Sequence, residues 1–324
     1  MDNGQRENEA ADAAGREGDG ADGQRHFLLA GQRIAAPRAA AGLHVVATPI
    51  GNLGDITLRA LQTLAGADVI VAEDTRHTGR LLQHFGIRRP MVAYHEHNAA
   101  RMRPRLLARL SAGEALALVS DAGTPVVSDP GMKLVRTAIE AGHAVHAVPG
   151  PSAAVAALSV SGLPSNQFLF AGFPPPKRAA RQRWLKDLAG VSATLILYES
   201  PHRLAESISD MAAILGPREA MVARELTKLH EELLRGTLPE LAAGMAAREH
   251  IRGEITLVIG PPVAVKGTAA GENREEAAAL ETALKDALET LPVSRAAKEI
   301  AQRFGRPRRE VYELALHLKK GEEA

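Results

Sequence analysis

Apolar runs in the first half of the chain, L-H-V-V-A at 43–47, V-I-V-A at 69–72, A-L-A-L-V at 115–119 and A-V-H-A-V at 144–148, lack the strict polar/apolar alternation of a half-exposed strand. They predict buried strands. The segments between them have helical spacing instead. Leu58, Leu61 and Leu64 share one face of a helix that Asp55 or Thr57 can cap, a second helix ends at Gly86, and a third covers 131–141. Strands and helices in this alternation predict an α/β fold with a parallel sheet covered on both faces. A second α/β unit follows, with strand-like runs at 168–171, 194–198, 220–223 and 254–259. The Pro-rich joint F-P-P-P at 173–176 lies just inside it, and Pro261 and Pro262 end it.

Beyond 264–274, which has no hydrophobic periodicity, Leu280, Leu284, Leu288 and Leu291 form a helical stripe. Ser294 is placed to cap a second helix bearing Ala297, Ile300 and Phe304, and Gly305 breaks it. Pro307 suits the first turn of a third, whose face is Val311, Leu314 and Leu318. Helix, short glycine turn and basic helix make a helix-turn-helix pattern; a solvated helical cap fits the same residues. The expected organisation is an acidic disordered extension (1–40), two α/β domains (41–162 and 163–262), a linker (263–274) and a basic helical tail (275–324).

Composition narrows the chemistry. Zero Cys removes disulfides, thiolate metal sites and Cys nucleophiles, and fits a reducing compartment. With no apolar run of transmembrane length and no signal-type apolar segment near the start, a soluble cytoplasmic protein is expected. The net charge of +1 hides an asymmetry. Residues 1–26 hold seven acids against three arginines and nothing bulky and apolar before Phe27, so they cannot offset their ordering entropy. Residues 294–320 hold eight basic side chains against three acids, which suggests a polyanionic partner.

Three of the first-half strands run into small-residue loops, T-P-I-G-N at 48–52, S-D-A-G-T-P at 120–125 and P-G-P-S-A at 149–153. Such loops present backbone N–H and C=O groups at the carboxyl edge of a sheet, where open α/β sheets bind ligands. They predict a cofactor site built largely from main chain. The first loop is neither a G-x-G-x-x-G fingerprint nor a phosphate loop, and alone it reads equally well as a turn. In the second, Asp121 sets a carboxylate beside Gly123, to accept from a ligand amine or hydroxyl or to close an Asx-type turn.

A-E-D-T-R-H-T at 72–78 gathers Glu73, Asp74, Arg76 and His77 at a strand end, suited to substrate binding or proton handling, or to helix capping by Asp74 or Thr75. Y-E-S-P-H-R at 198–203 repeats the theme in the second unit. His95, Glu96 and His97 lack a third ligand, so no metal is expected. K-R-A-A-R-Q-R-W-L-K at 177–186 offers cations for phosphates and Trp184 for base stacking, or else a docked helix with its cations in water.

Together V-A-T-P-I-G-N-L-G-D-I-T-L-R-A-L, A-E-D-T-R-H-T, L-V-S-D-A-G-T-P-V-V-S-D-P-G, V-P-G-P-S-A, S-V-S-G-L-P, G-F-P-P and Y-E-S-P-H-R resemble the ribosomal RNA small-subunit methyltransferase I family. That family belongs to the tetrapyrrole-methylase superfamily of class III methyltransferases. The similarity spans roughly 43–260 in register, and the basic C-terminal helices look like that family's tail; the acidic extension falls outside it. The resemblance implies a two-domain tetrapyrrole-methylase-like fold, a homodimer, and S-adenosylmethionine between the two domains. It further implies 2′-O-methylation of a cytidine ribose in the decoding region of 16S rRNA.

Carried onto matching positions, the resemblance puts Pro49, Gly51 and Asn52 beside the cofactor, and Asp121, Ala122, Gly123 and Thr124 around its methionine and ribose parts. Ser152 and Ala153 contribute from the third loop, Tyr198 and Glu199 from the second domain, and the 253–259 strand lies near the adenine. Asp74, His77 and His202 are candidate bases, with Arg76 or Arg203 holding a phosphate; no Lys-Asp-Lys-Glu tetrad can be placed. Candidate RNA contacts are Lys177, Arg178, Arg181, Arg183, Arg203, Arg306, Arg308 and Arg309. The rival readings are a tetrapyrrole C-methyltransferase of the uroporphyrinogen or precorrin type and a non-catalytic, cofactor-sensing RNA-binding protein.

Overall fold

The structure, a computed structural model, describes residues 25–125, 131–262 and 269–322. It opens with a hairpin, β1 (His26–Leu29) and β2 (Gln32–Ala35), inside the stretch expected to be disordered. That expectation is corrected for these residues; 1–24 lie outside the described ones. Ala30 and Gly31 both have positive φ, 49° and 77°, as a tight type I′ hairpin turn requires. Phe27 is buried in the core against the first helix, and the Leu28 N–H donates to the Phe85 carbonyl at 2.7 Å. The segment is poor in apolar residues but docks the one that matters onto a surface made elsewhere.

The first α/β half runs β3 (Gly42–Val46), α1 (Leu58–Gly66), β4 (Val69–Ala72), α2 (Thr75–His84), β5 (Met91–Ala93), α3 (Ala99–Ser111), β6 (Ala115–Val119), α4 (Met132–Glu140) and β7 (Val145–Val148). Its sheet is all parallel, in the order β5-β4-β6-β3-β7. One apolar cluster covers each face, which is why the central strands are continuous in Val, Leu, Ile and Ala. Gly66 ends α1 where the chain at 37–39 crosses so closely that a Cβ would lie 2.3 Å from the Pro37 carbonyl.

The second half comprises α5 (Ala153–Ser161), β8 (Phe168–Gly172), α6 (Arg178–Ala189), β9 (Thr194–Glu199), α7 (Leu204–Leu215), β10 (Glu219–Arg224), β11 (Glu232–Thr237), α8 (Leu238–Ala246) and β12 (Ile255–Ile259). The sheet order is β11-β10-β12-β9-β8, parallel only between β8 and β9. Helix α5 follows the last strand of the first sheet but packs Ala154, Ala157 and Leu158 on the second. Strands β5 and β11 were not anticipated: β5, M-V-A, is only three residues long, and β11, E-L-L-R-G-T, is not a continuous apolar run.

The chain divides at Pro261 and Pro262. The helices after the division, α9 (Ala269–Thr290), α10 (Val293–Phe304) and α11 (Arg308–Glu322), enclose their own core of Leu280, Leu284, Ile300, Val311 and Ala315. Gly305 takes φ 64° and closes α10, whose N-cap is Pro292 rather than Ser294. α9 begins inside the expected linker; 263–268 lie outside the described residues.

Candidate active site

Parallel strands deliver all their carboxyl ends to one edge, and there the small-residue loops are tied to one another. Thr48 and Gly123 exchange backbone hydrogen bonds at 2.9 and 3.0 Å, a one-residue antiparallel bridge between the first loop and the second. The Thr124 hydroxyl donates to the Pro151 carbonyl at 3.1 Å, joining the second to the third. Gly123 has φ +77°, and a Cβ there would press on Ile50 at 3.3 Å. Asp121, at the end of β6, accepts from the Asp74 N–H at 3.1 Å, which fixes its carboxylate beside the start of α2.

A cavity of about 470 Å³ lies on these loops. Ile50, Glu73, Asp121, Ala122, Gly123, Thr124, Ser152 and Ala153 line it from the first half and the start of α5. The second half closes it with Phe173, the segment 198–201 and the segment 253–256. The antiparallel register explains why two distant segments meet there: Glu199 at the end of β9 lies opposite Ile255 at the start of β12. Among the lining residues Glu73, Asp121, Glu199 and Glu254 are acidic, and none is Lys, Arg or His. A smaller cavity of about 230 Å³ adjoins it, lined by Thr48, Pro49, Gly51, Leu53, His77, Thr78, Arg80, Leu81 and Ser120. Asp121 lines both.

The sequence reading passed over R-E-L-T-K at 224–228, which braces both cavities. Lys228 Nζ reaches Glu225 Oε1 at 2.8 Å and Glu254 Oε2 at 3.3 Å, and Glu225 Oε1 also accepts from the Glu254 N–H at 2.9 Å. The Lys228 stem lies on Gly51, where a Cβ would sit 2.3 Å from Cγ, and Glu225 fills the space a Cβ on Gly253 would need. Burial opposes both charges, yet the mutual pairing wins: Glu225 is held below the usual carboxylate range and Lys228 above its ordinary value. Glu225 and Thr227 have φ of 52° and 66°, backbone strain of the kind concentrated at functional sites. Two non-glycine residues at positive φ leave no sequence signature, so composition could not reveal this brace.

Several expected site residues have other work. Asp74 caps α2, accepting from the Arg76 N–H at 2.8 Å, and pairs with the exposed Arg76 guanidinium at 2.9 Å. Hydrogen bonds from Arg76 hold its carboxyl at about 2, far too acidic for a base near neutrality. Asn52, on the surface, caps the short helical turn Leu53–Asp55, its Oδ1 accepting from the Gly54 N–H. Pro49 and Gly51 line the smaller cavity rather than the larger. The buried Glu199 carboxylate accepts from the Ser200 N–H and the Ser207 hydroxyl and pairs with Arg203 at 2.8 Å. Arg203 is thereby tied to Glu199 within the protein, and the exposed His202 lines neither cavity.

Helix α6 also divides its cations. Arg181 is fully buried, paired with Asp210 at 2.7 Å and Glu206 at 3.2 Å, so it is a structural residue and not an RNA contact. Trp184 is half-buried and packs on the core of the second half, as in the docked-helix alternative. Lys177, Arg178, Arg183 and Lys186 are exposed, Arg178 at 3.2 Å from Asp210. In the tail Arg306 is half-buried and Arg309 pairs with Glu313 at 3.2 Å. Nothing described bears on the Arg308 side chain.

Comparison with known proteins places this architecture. Residues 42–242 match the family model of tetrapyrrole (corrin/porphyrin) methylases, and residues 274–319 match the RsmI C-terminal HTH domain. A ribosomal RNA small subunit methyltransferase I from Mesorhizobium japonicum is 50% identical over 86% of this chain and 92% of its own length. Its namesake from Xylella fastidiosa is 51% identical over 83% and 97%. The crystal structure of uroporphyrin-III-C-methyltransferase from Thermus thermophilus superposes with a TM-score of 0.51 at 23% identity, covering 70% of this chain and 97% of that one, a likeness of fold. This chain belongs to the tetrapyrrole (corrin/porphyrin) methylase family and, within it, to the ribosomal RNA small subunit methyltransferase I proteins.

Proposed function

We propose that this chain methylates the ribose 2′-hydroxyl of a cytidine in the decoding region of 16S rRNA. The broader activity, S-adenosylmethionine-dependent methylation of small-subunit rRNA, accords with its family. The observation that carries the cofactor assignment is the lining of the larger cavity: acidic residues, glycine-rich main chain, aromatic Phe173 and Tyr198, and no basic side chain among the described lining residues. Such a wall suits a ligand with a cationic amine and sulfonium and repels a di- or triphosphate. Its volume, about 470 Å³, lies within the range of roughly 300–1,000 Å³ for small-molecule sites.

When bound, S-adenosylmethionine supplies a methyl group already activated on a positively charged sulfur. The chain has two tasks. It must hold the acceptor oxygen in line with that methyl, an orientation worth up to roughly 7–11 kcal/mol of the barrier. It must also take the hydroxyl proton. With the methyl passing to the oxygen and its bonding pair remaining on sulfur, the released hydroxyl proton would need a base on the protein. Asp74 is too acidic, and His202 lines neither cavity. On this reading the proton passes to His77, on α2 in the cavity that shares Asp121 with the cofactor site.

The exposed cations Lys177, Arg178, Arg183 and Arg309, with the half-buried Arg306 and the tail's Arg308, serve the reading as phosphate contacts. It includes a homodimer in the cytoplasm. Among the described residues no helix is long and apolar enough to cross a membrane.

The test is calorimetry with S-adenosylmethionine together with mapping of 2′-O-methyl groups on 16S rRNA from a deletion strain, with and without complementation. Asp121→Ala is expected to weaken cofactor binding and lower turnover about a hundredfold, the scale of a misplaced reacting group. A wild-type chain that binds a nucleoside triphosphate and not S-adenosylmethionine would defeat the assignment, as would methylation restored on a base carbon.

A further inference from the structure

The smaller cavity differs in kind from the larger one it adjoins. Apolar Pro49, Leu53 and Leu81 form its walls, and its ionisable lining residues besides Asp121 are His77 and Arg80. His77, Arg80 and Leu81 stand at i, i+3 and i+4 on α2 and so share one face of that helix. His77 and Arg80 are exposed, as is Leu53 at 39%. The floor is rigid: Thr48 is held by its bridge to Gly123, and the Lys228 stem clamps Gly51. Asp121, the residue common to both cavities, keeps its carboxylate fixed by the Asp74 N–H.

We propose that this second cavity receives the acceptor itself, a single unpaired ribonucleotide turned out of its strand. Sugar and base rest against Pro49, Leu53 and Leu81, a backbone phosphate meets Arg80, and the ribose hydroxyl lies at the Asp121 edge, beside His77. The division of charge supports the placement. A cationic cofactor suits the acidic cavity, an anionic backbone suits the one bearing Arg80, and the shared wall is where the two reacting atoms must meet. Unpaired nucleotides are the form of RNA whose edges and faces a pocket can grip. The proposal rests on the methyltransferase reading above.

The experiment uses the full chain, saturated with S-adenosylmethionine, acting on small ribosomal subunits from a strain lacking this methylation. Arg80→Ala is expected to raise KM for subunits about tenfold with kcat little changed, the mark of a lost phosphate contact. Leu53→Trp fills the cavity from its rim and is expected to lower kcat/KM about tenfold or more. Both variants should keep the wild-type thermal midpoint and bind S-adenosylmethionine within about twofold of wild type. Wild-type kcat/KM in both variants would overturn the proposal, as would a parallel loss of cofactor affinity. A wild-type chain that binds S-adenosylmethionine but leaves small-subunit RNA unmethylated would instead overturn the functional reading, and with it this placement.

Discussion

The two α/β halves build the same cavity by different means. The first half is an all-parallel sheet, so its strands end together and offer loops knit by main-chain hydrogen bonds, with Asp121 the side chain its sequence supplies at their centre. In the second half neighbouring strands mostly run opposite ways. Strand ends and strand starts meet at the same edge, and the cavity wall there is held by side-chain pairs: Glu199 with Arg203, and Glu225 and Glu254 with Lys228. A parallel edge can therefore bind through backbone that glycine and proline shape locally. A mixed edge must be braced by charges brought from separate segments.

The same contrast governs stability. The second half buries an ion cluster around Asp210, where burial raises the carboxyl and hydrogen bonds from Gln182, Arg181 and Arg178 more than offset it. The largest expected effect is accordingly there. Asp210→Ala leaves the buried Arg181 guanidinium with only the exposed Glu206 to pair with and should cost about 3–5 kcal/mol in chemical denaturation, whereas Arg76→Ala, at an exposed pair of the first half, should leave the midpoint unchanged. Similar small losses for the two would erase the distinction.

In the first half the corresponding weight falls on apolar docking. Phe27→Ala should cost about 3 kcal/mol, and a chain starting at Ala41 should melt at a lower temperature than the whole protein. An unchanged midpoint would make the hairpin a passenger.

A smaller effect tests the charged bracing through pH. Glu232 is held at about 2 by Arg248 first, then Arg224, against a pull upward from burial. A carboxyl depressed on folding adds stability above its ordinary value of 4.5, and that contribution fades as pH falls from there toward 2. Glu232→Gln should flatten the acid limb of stability against pH in that window and leave the neutral-to-alkaline limb parallel to wild type. The same acid slope in both proteins would show that the pairing carries no linkage.

The smallest effect concerns α6. Arg183→Ala with Lys186→Ala should lower the salt dependence of subunit binding by about one to two in log–log slope and leave S-adenosylmethionine affinity untouched. A slope identical to wild type would make them solvated charges.

What could be read from residues alone was what local geometry dictates. Buried parallel strands announce themselves as unbroken apolar runs, and T-P-I-G-N, S-D-A-G-T-P and P-G-P-S-A specify turns through Gly and Pro, so the alternating architecture and the loops that line the cavity were legible. Burial within a helix was not. Arg181 and Arg183 are two positions apart in one basic run, and only the helix face turned toward Asp210 makes the first a core residue and leaves the second in water. Phe27 lies in an acidic, apolar-poor stretch, and its core is assembled from α1 and Phe85, which local composition does not register.

The brace of Glu225, Lys228 and Glu254 depends on strand register, a pairing between segments roughly thirty residues apart that no periodicity within either one encodes. Sequence therefore determined the long apolar strands, their alternation with helices in the first half, and the chemistry available at their ends. The tertiary structure decided which charges are spent on holding the fold and which remain for a ligand, because ion pairing and burial are set by neighbours that only folding brings together.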